Sequence, residues 1–231
     1  MEDALPSLPD PDAALGRRER ERLARRRAML GAALAVFGEK GFEGATVDEI
    51  AERAEFGKGT LYNYFQGGKD ELYLTLFEDV VLGGLHRVVD ATLATASVAT
   101  PADVRTAYCD FVEGLFEHFE AHRPQLMLFM KDGDRMMLDP DKAAFFGGLF
   151  ERLIDRVAAP LDAAVGAGTL RDLPARPVAH LLMGTVRGFL IADDETRCIP
   201  PGVAAAAPFA TPGAAASFIT TVFFDGLLAR P

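Results

Sequence analysis

The stretch Thr46–Phe65, TVDEIAERAEFGKGTLYNYF, decides the fold. Thr46 followed three positions later by Glu49 is a capping-box pattern, in which two side chains satisfy orphan backbone N–H groups at a helix start. Val47, Ile50, Ala51 and Ala54 then recur at helical spacing until Gly57 breaks the run. Lys58 to Phe65 reads as a second short helix. On a wheel of roughly 100° per residue, Leu61 and Phe65 fall together near 300° and 340° and must face inward. Gly59, Thr60 and Asn63 lie opposite, flanked by Tyr62 and Tyr64. That outward face suits the major groove of DNA. Asn63 can pair bidentately with adenine, Thr60 can meet a thymine methyl or a base edge, and Gly59 lets the backbone approach closely. Lys58, Tyr62, Tyr64 and Lys69 suit phosphates, and Thr46, at the entry to the first of the two helices, is a further candidate DNA contact.

Upstream, Leu23, Leu30, Leu34 and Phe37 share a face among helix-favouring alanines, which predicts a supporting helix that ends at Gly38 or Gly41. Three such helices close on one another as a trihelical unit. Seven arginines fall between Arg17 and Arg27, with Glu19 and Glu21 among them. They read equally well as a solvated helix face and as groups reaching a DNA backbone or minor groove. The chain carries a net charge of -10, yet residues 16–69 carry +3. Charge is therefore segregated, and the acidic total does not exclude a nucleic-acid partner. Residues 1–15, acidic and proline-rich, are expected to be a disordered tail.

The pattern T-V-D-E-I-A-x-x-A, then K-G-T-L-Y-x-Y-F and K-x-E-L, resembles the N-terminal domain of the TetR family over about 50 residues. The resemblance implies a homodimer with a helix-turn-helix in each subunit and a ligand pocket in the C-terminal helices. It also implies release of DNA when ligand binds. Two departures stand out. Glu55, Phe56 and Gly57 occupy the turn where the family has Gly-Val-Ser, and Gln66-Gly67-Gly68 is one residue longer than the common spacing before Lys69.

Downstream, helical periodicity runs from Lys69 to about Ala91 and returns near 102–122, 141–165, 176–192 and 213–229. An apolar patch, LMLFM, sits at 126–130, and the proline- and alanine-rich stretch from Asp193 to Pro212 reads as a long loop. No run of alternating polarity suggests a sheet. The expected fold is all-α: a three-helix, homeodomain-like domain over 16–68, with its helix-turn-helix at 46–65, then a helical bundle over 69–231 for ligand binding and dimerisation. His86, Phe111, Phe116, Phe119, Met127, Met130, Phe146 and Phe150 are candidate pocket residues, with ordinary core packing as the alternative for each. Leu182, Val186, Phe189, Phe218, Val222 and Phe223 on the last two helices are candidate dimer contacts, again against intramolecular core.

Metal and thiol chemistry find little support. His118 and His122 share a helix face without a third ligand at useful spacing, and Cys109 and Cys198 have no CxxC partner. No metal site, cofactor or catalytic group is expected. No signal-peptide pattern or run of eighteen apolar residues occurs, so the expected compartment is the cytoplasm, without membrane attachment. The expectation is a homodimeric regulator, foremost a repressor, of a palindromic double-stranded DNA operator, released by a small apolar or amphipathic effector. The rivals are a DNA-binding dimer without effector, and a helical-bundle enzyme or carrier.

Overall fold

The computed structural model describes residues 16–136, 139–192 and 211–225. The expected tail at 1–15 and nearly all of the expected loop at 193–212 lie outside them. The described residues form ten α-helices and one π-helical stretch, and no strand occurs among them. Two compact units result, one ending at Leu76 and the other beginning at Phe77.

The first unit holds α1 (Arg17–Gly44), α2 (Val47–Arg53), α3 (Lys58–Tyr64) and α4 (Gly68–Leu76). Gly41, at φ 69°, interrupts helical geometry near the end of α1, where the sequence places a stop. The core gathers Met29, Ala33, Val36 and Phe37 of α1 with Ile50, Leu61, Phe65, Leu72 and Tyr73. Tyr73 closes it, meeting Phe37 at 5.5 Å and Phe42 at 5.0 Å edge-on. Helix α4 thus belongs to this unit, eight residues beyond the expected boundary. Periodicity marks a helix but does not say which core receives its apolar face.

The stretch expected as one long helix from Lys69 is three pieces: α4, a π-helical segment Phe77–Leu82, and α5 (Gly83–Thr92). The second unit continues with α6 (Pro101–Ala121), α7 (Arg123–Met136), α8 (Pro140–Gly166), α9 (Ala175–Ala192) and α10 (Pro212–Asp225). Thr100 and Asp103 form a capping box with Pro101 at the first turn of α6, and Asp139 caps α8. The LMLFM patch is part of helix α7. The core is built from Tyr108, Phe111 and Val112 of α6, Leu153, Ile154 and Val157 of α8, Leu182 and Val186 of α9, and Ile219 of α10. No helix among the described residues is long and apolar enough to cross a membrane.

Helices α5 and α6 meet through two glycines. A Cβ on Gly84 would lie 2.0 Å from His118 Nε2, and one on Gly114 would lie 2.9 Å from Val88 Cγ1, so no side chain fits at Gly84 while His118 keeps its place. His118 also stacks on His122, ring centroids 4.4 Å apart, and its Nε2 is buried without a hydrogen-bond partner. Burial, then the neighbouring His122 and Arg87, hold its pKa below the ordinary histidine value, against a backbone hydrogen bond at Val80 that favours the charged form. His86 is lowered as well, chiefly by burial and by Arg156, with Asp90 opposing. A lowered folded-state pKa means that the unfolded chain takes up protons first as pH falls. Stability contributed by these neutral imidazoles is therefore present above the unfolded value of about 6.5 and lost as pH falls through it toward the folded values. Thermal melts between pH 7.5 and 5.5 are expected to show a declining Tm for the wild type and a shallower decline for the His86→Gln, His118→Gln double variant.

Candidate nucleic-acid interface

The two short helices are set by hydrogen bonds that the sequence encodes locally. At the start of α2, Thr46 Oγ1 accepts from Glu49 N–H at 3.3 Å, and Glu49 Oε2 accepts from Thr46 N–H at 3.2 Å. The reciprocal box is complete. The Thr46 hydroxyl is thereby engaged in the cap.

The far end of α2 closes in a Schellman motif. Phe56 N–H donates to Ala51 O and Glu55 N–H to Glu52 O, each at 3.0 Å. This geometry needs a left-handed residue just after the helix, and Glu55 takes it at φ 60°. It is the only non-glycine residue at positive φ among the described residues. Gly57 then caps α3 through its carbonyl alone, without a side-chain bond, accepting from Thr60 N–H at 2.8 Å.

Helix α3 presents the expected faces. Leu61 and Phe65 are buried, at 0% and 1% exposure, whereas Lys58, Gly59, Tyr62 and Asn63 are exposed and Thr60 and Tyr64 half-buried. The extra residue after the helix has a packing reason. Gly68 sits at φ 61° with its N–H bonded to Phe65 O at 3.0 Å, and a Cβ there would approach the Tyr62 ring to 3.2 Å. Gln66-Gly67-Gly68 therefore turns the chain tightly beneath Tyr62. Lys69 emerges with its ammonium 4.4 Å from the centre of the Phe42 ring, a cation–π contact.

Acids hold the cations around this surface. Asp48 of α2 grips Lys58 of α3 at 2.9 Å, Glu39 grips Arg53 through both guanidinium nitrogens at 2.6 and 2.9 Å, and Glu49 grips Lys40. The Asp48 hydrogen bond and charge hold the Lys58 ammonium above its ordinary pKa, so Lys58 stays charged and tethered. No local sequence pattern announces this clamp, because the partners are ten residues apart on different helices.

The candidate effector residues scatter. Phe111, Phe119 and Phe146 are core, Phe116 and Met127 are half-buried, and Phe150 stands 38% exposed with its ring 6.2 Å from that of His180. The Met130 side chain lies outside the described residues. Phe146 packs edge-on against Phe77 at 4.6 Å, and Phe129 joins them at 5.7 Å. His86 is half-buried, with Nε2 inaccessible and unpartnered. A groove of about 700 Å³ between α5 and α6 is lined by other residues, among them Arg87, Val88, Asp110, Glu113 and Glu117. Among the candidate dimer contacts, Leu182 and Val186 are buried in their own unit, whose interior claims the face that periodicity marked. Phe189 meets Phe218 edge-on at 6.2 Å, Val222 and Phe223 are half-buried, and Phe218 is 48% exposed. No group of three potential metal ligands occurs among the described residues.

A short helix with a polar outward face, fixed across a tight turn to a second helix and backed by a third, defines a helix-turn-helix DNA-binding domain. Residues 29–76 match the model of the family described as bacterial regulatory proteins, tetR family. Over this domain the chain is TetR-like. The similarity of fold extends further. FadR from Bacillus subtilis, solved in complex with stearoyl-CoA, aligns at TM-score 0.68 and 15% identity, over 88% of this chain and 100% of that one. The fatty acid degradation regulator FadR from Bacillus halodurans aligns at 0.69 and 17%, covering 89% and 97%. PfmR from Thermus thermophilus aligns at 0.61 and 20%, covering 87% and 99%.

Two variants test the local physics. Left-handed backbone costs a non-glycine residue about 1–2 kcal/mol, partly offset by the greater unfolded-state freedom of glycine. Glu55→Gly is therefore expected to stabilise the domain by about 1 kcal/mol, read as a Tm rise of a few degrees. Asp48→Asn frees Lys58 and removes one acid beside the DNA face. It is expected to tighten DNA binding several-fold at low salt, measured by fluorescence anisotropy, while stability changes by less than about 0.5 kcal/mol.

Proposed function

We propose that the protein is a homodimeric cytoplasmic repressor that reads a palindromic operator through α3 and leaves it when a small apolar or amphipathic effector binds the second unit. The observation that carries the reading is the α3 surface itself: Asn63 and Tyr62 are exposed on a helix whose other face is anchored by Leu61 and Phe65. Thr60 and Asn63 read base edges, Gly59 permits approach, and Lys58, Tyr62, Tyr64, Lys69 and the Thr46 helix start position the backbone.

A dimer follows from affinity, since one seven-residue helix reads only a few bases and two half-sites one groove repeat apart multiply the discrimination. The second unit offers a surface for it. Leu181, 64% exposed, and Gly184 and Gly188 lie on the open side of α9, and Phe218 is exposed on α10. The interface shifts accordingly from Leu182 and Val186 to these neighbours, with Phe189, Val222 and Phe223 at its edge.

An effector of the acyl-chain kind is favoured by the stearoyl-CoA complex of the Bacillus subtilis FadR and by the aromatic cluster Phe77, Phe129 and Phe146. His86, with its unsatisfied Nε2, would supply a polar contact. Release requires that the effector favour a state whose α3 helices no longer match successive grooves, a coupling of about 1–3 kcal/mol.

Selection of random DNA by the purified protein, followed by challenge of the complex with acyl-CoA thioesters and other metabolites, tests the whole reading. An enriched palindrome is expected, and the Tyr62→Ala, Asn63→Ala double variant is expected to bind it at least tenfold more weakly. No enriched sequence, or unchanged affinity in the double variant, refutes the α3 assignment. Enrichment without any releasing metabolite favours a regulator without effector.

A further inference from the structure

Helix α1 begins twelve residues before the family match and before the first buried residue, Met29. None of residues 17–28 is buried, and only Leu23 and Arg26 are half-buried. These three turns extend about 18 Å at the α-helical rise. They contain seven arginines and two glutamates.

The placement of the arginines is informative. At about 100° per residue, Arg18, Arg22, Arg25 and Arg26 occupy the arc of roughly 120° that Met29, Ala33, Val36 and Phe37 use to enter the core further along α1. The stripe that faces the domain thus turns from apolar to cationic where the helix passes beyond the core. Arg26 shows where the stripe leads: its guanidinium carbon lies 5.4 Å from the centre of the Phe65 ring, and Phe65 is the residue that ends the DNA-reading helix.

The local acids do not neutralise this arm. Glu21 pairs with Arg17 at 2.9 Å, across exposed side chains. Among the described residues, no acid pairs with Arg18, Arg20, Arg22 or Arg25. Positive charges in the first turn of a helix also oppose its macrodipole, a cost that an anionic partner would remove.

We propose that Arg17–Ala28 is a second DNA-contacting element, a helical arm whose guanidiniums bind backbone phosphates next to the bases read by α3. The proposal rests on the DNA-binding reading of α3. At 3.4 Å per phosphate along one strand, an 18 Å arm spans about five base pairs. Its contacts are to phosphate, so it adds affinity and salt dependence without sequence preference.

The test uses the full-length protein and the DNA sequence enriched by the wild type. Arg18, Arg20, Arg22 and Arg25 are replaced together by Gln, which keeps helix propensity, and in a second variant by Lys, which keeps charge. Binding is measured by anisotropy from 50 to 300 mM salt alongside nuclease footprints, with far-UV circular dichroism confirming that the Gln variant retains its helices. The expected result for Gln is a log–log salt slope smaller by about 0.9 for each lost phosphate contact, a shorter footprint and the same preferred sequence. The Lys variant is expected to keep most of the slope. An unchanged slope and footprint in a folded Gln variant, with the wild type binding its enriched sequence, overturns the arm while leaving the α3 reading intact. A changed base preference at constant slope also overturns it. Failure of the wild type to enrich any sequence removes the reading beneath both.

Discussion

The structure of the reading surface depends on the burial of two side chains, Leu61 and Phe65. Helix α3 has seven residues, well below the length at which a helix persists in water on its own. Its first turn lacks a side-chain cap, and it contains Gly59, a poor helix former. What holds it is the complete removal of Leu61 and Phe65 from solvent against the core of the first unit. At about 1.5–3 kcal/mol for each such side chain, this burial outweighs the deficits of capping and propensity. Because inward and outward residues alternate on a fixed wheel, anchoring those two also fixes where Thr60 and Asn63 stand.

The backbone at either end of α3 follows from the same demand. Before it, the chain must turn within four residues while keeping α2 packed, and the Schellman bonds to Ala51 and Glu52 do this at the expense of a glutamate in left-handed geometry. After it, Gly68 supplies a second left-handed residue and the space that Tyr62 needs. Tyr62 therefore rests on a bend of the backbone rather than swinging freely in solvent, which would reduce the entropy lost in the proposed phosphate contact.

The capping box, the two faces of α3 and the boundaries of most later helices could be read from the chain because each rests on spacing within a few residues. Other features could not. The Asp48–Lys58 clamp and the Arg26–Phe65 contact join separate helices, so no local pattern announces them. Leu182 and Val186 were legible as an apolar face but not as the face their own unit occupies, since periodicity is blind to which partner does the burying. Phe150 likewise looks like core by composition, yet it lies outside the packed stripe of Leu149, Leu153 and Ile154. The long periodic stretch after Lys69 gave no hint of π-helical turns, because a one-residue widening leaves the apolar pattern nearly intact.

The distribution of charge bears on how such a protein discriminates among sequences. Cations next to α3 are each held by an acid or an aromatic ring: Lys58 by Asp48, Arg53 by Glu39, Lys40 by Glu49, and Lys69 by Phe42. Every phosphate contact made there exchanges an existing partner and gains less than a free cation would. The net charge of -13 outside residues 16–69 adds long-range repulsion from any duplex. Both effects weaken sequence-independent binding in the immediate neighbourhood of the bases. The specificity ratio, not the affinity alone, sets occupancy against a genome of competing sites, and it rises when the nonspecific term falls more than the specific one. In the proposed reading, neutral groups such as Asn63 and Thr60 would lose nothing in this exchange, because contacts to base edges depend on hydrogen-bond geometry rather than on net charge. An interface with its local cations tied down therefore concentrates discrimination in the side chains that read bases.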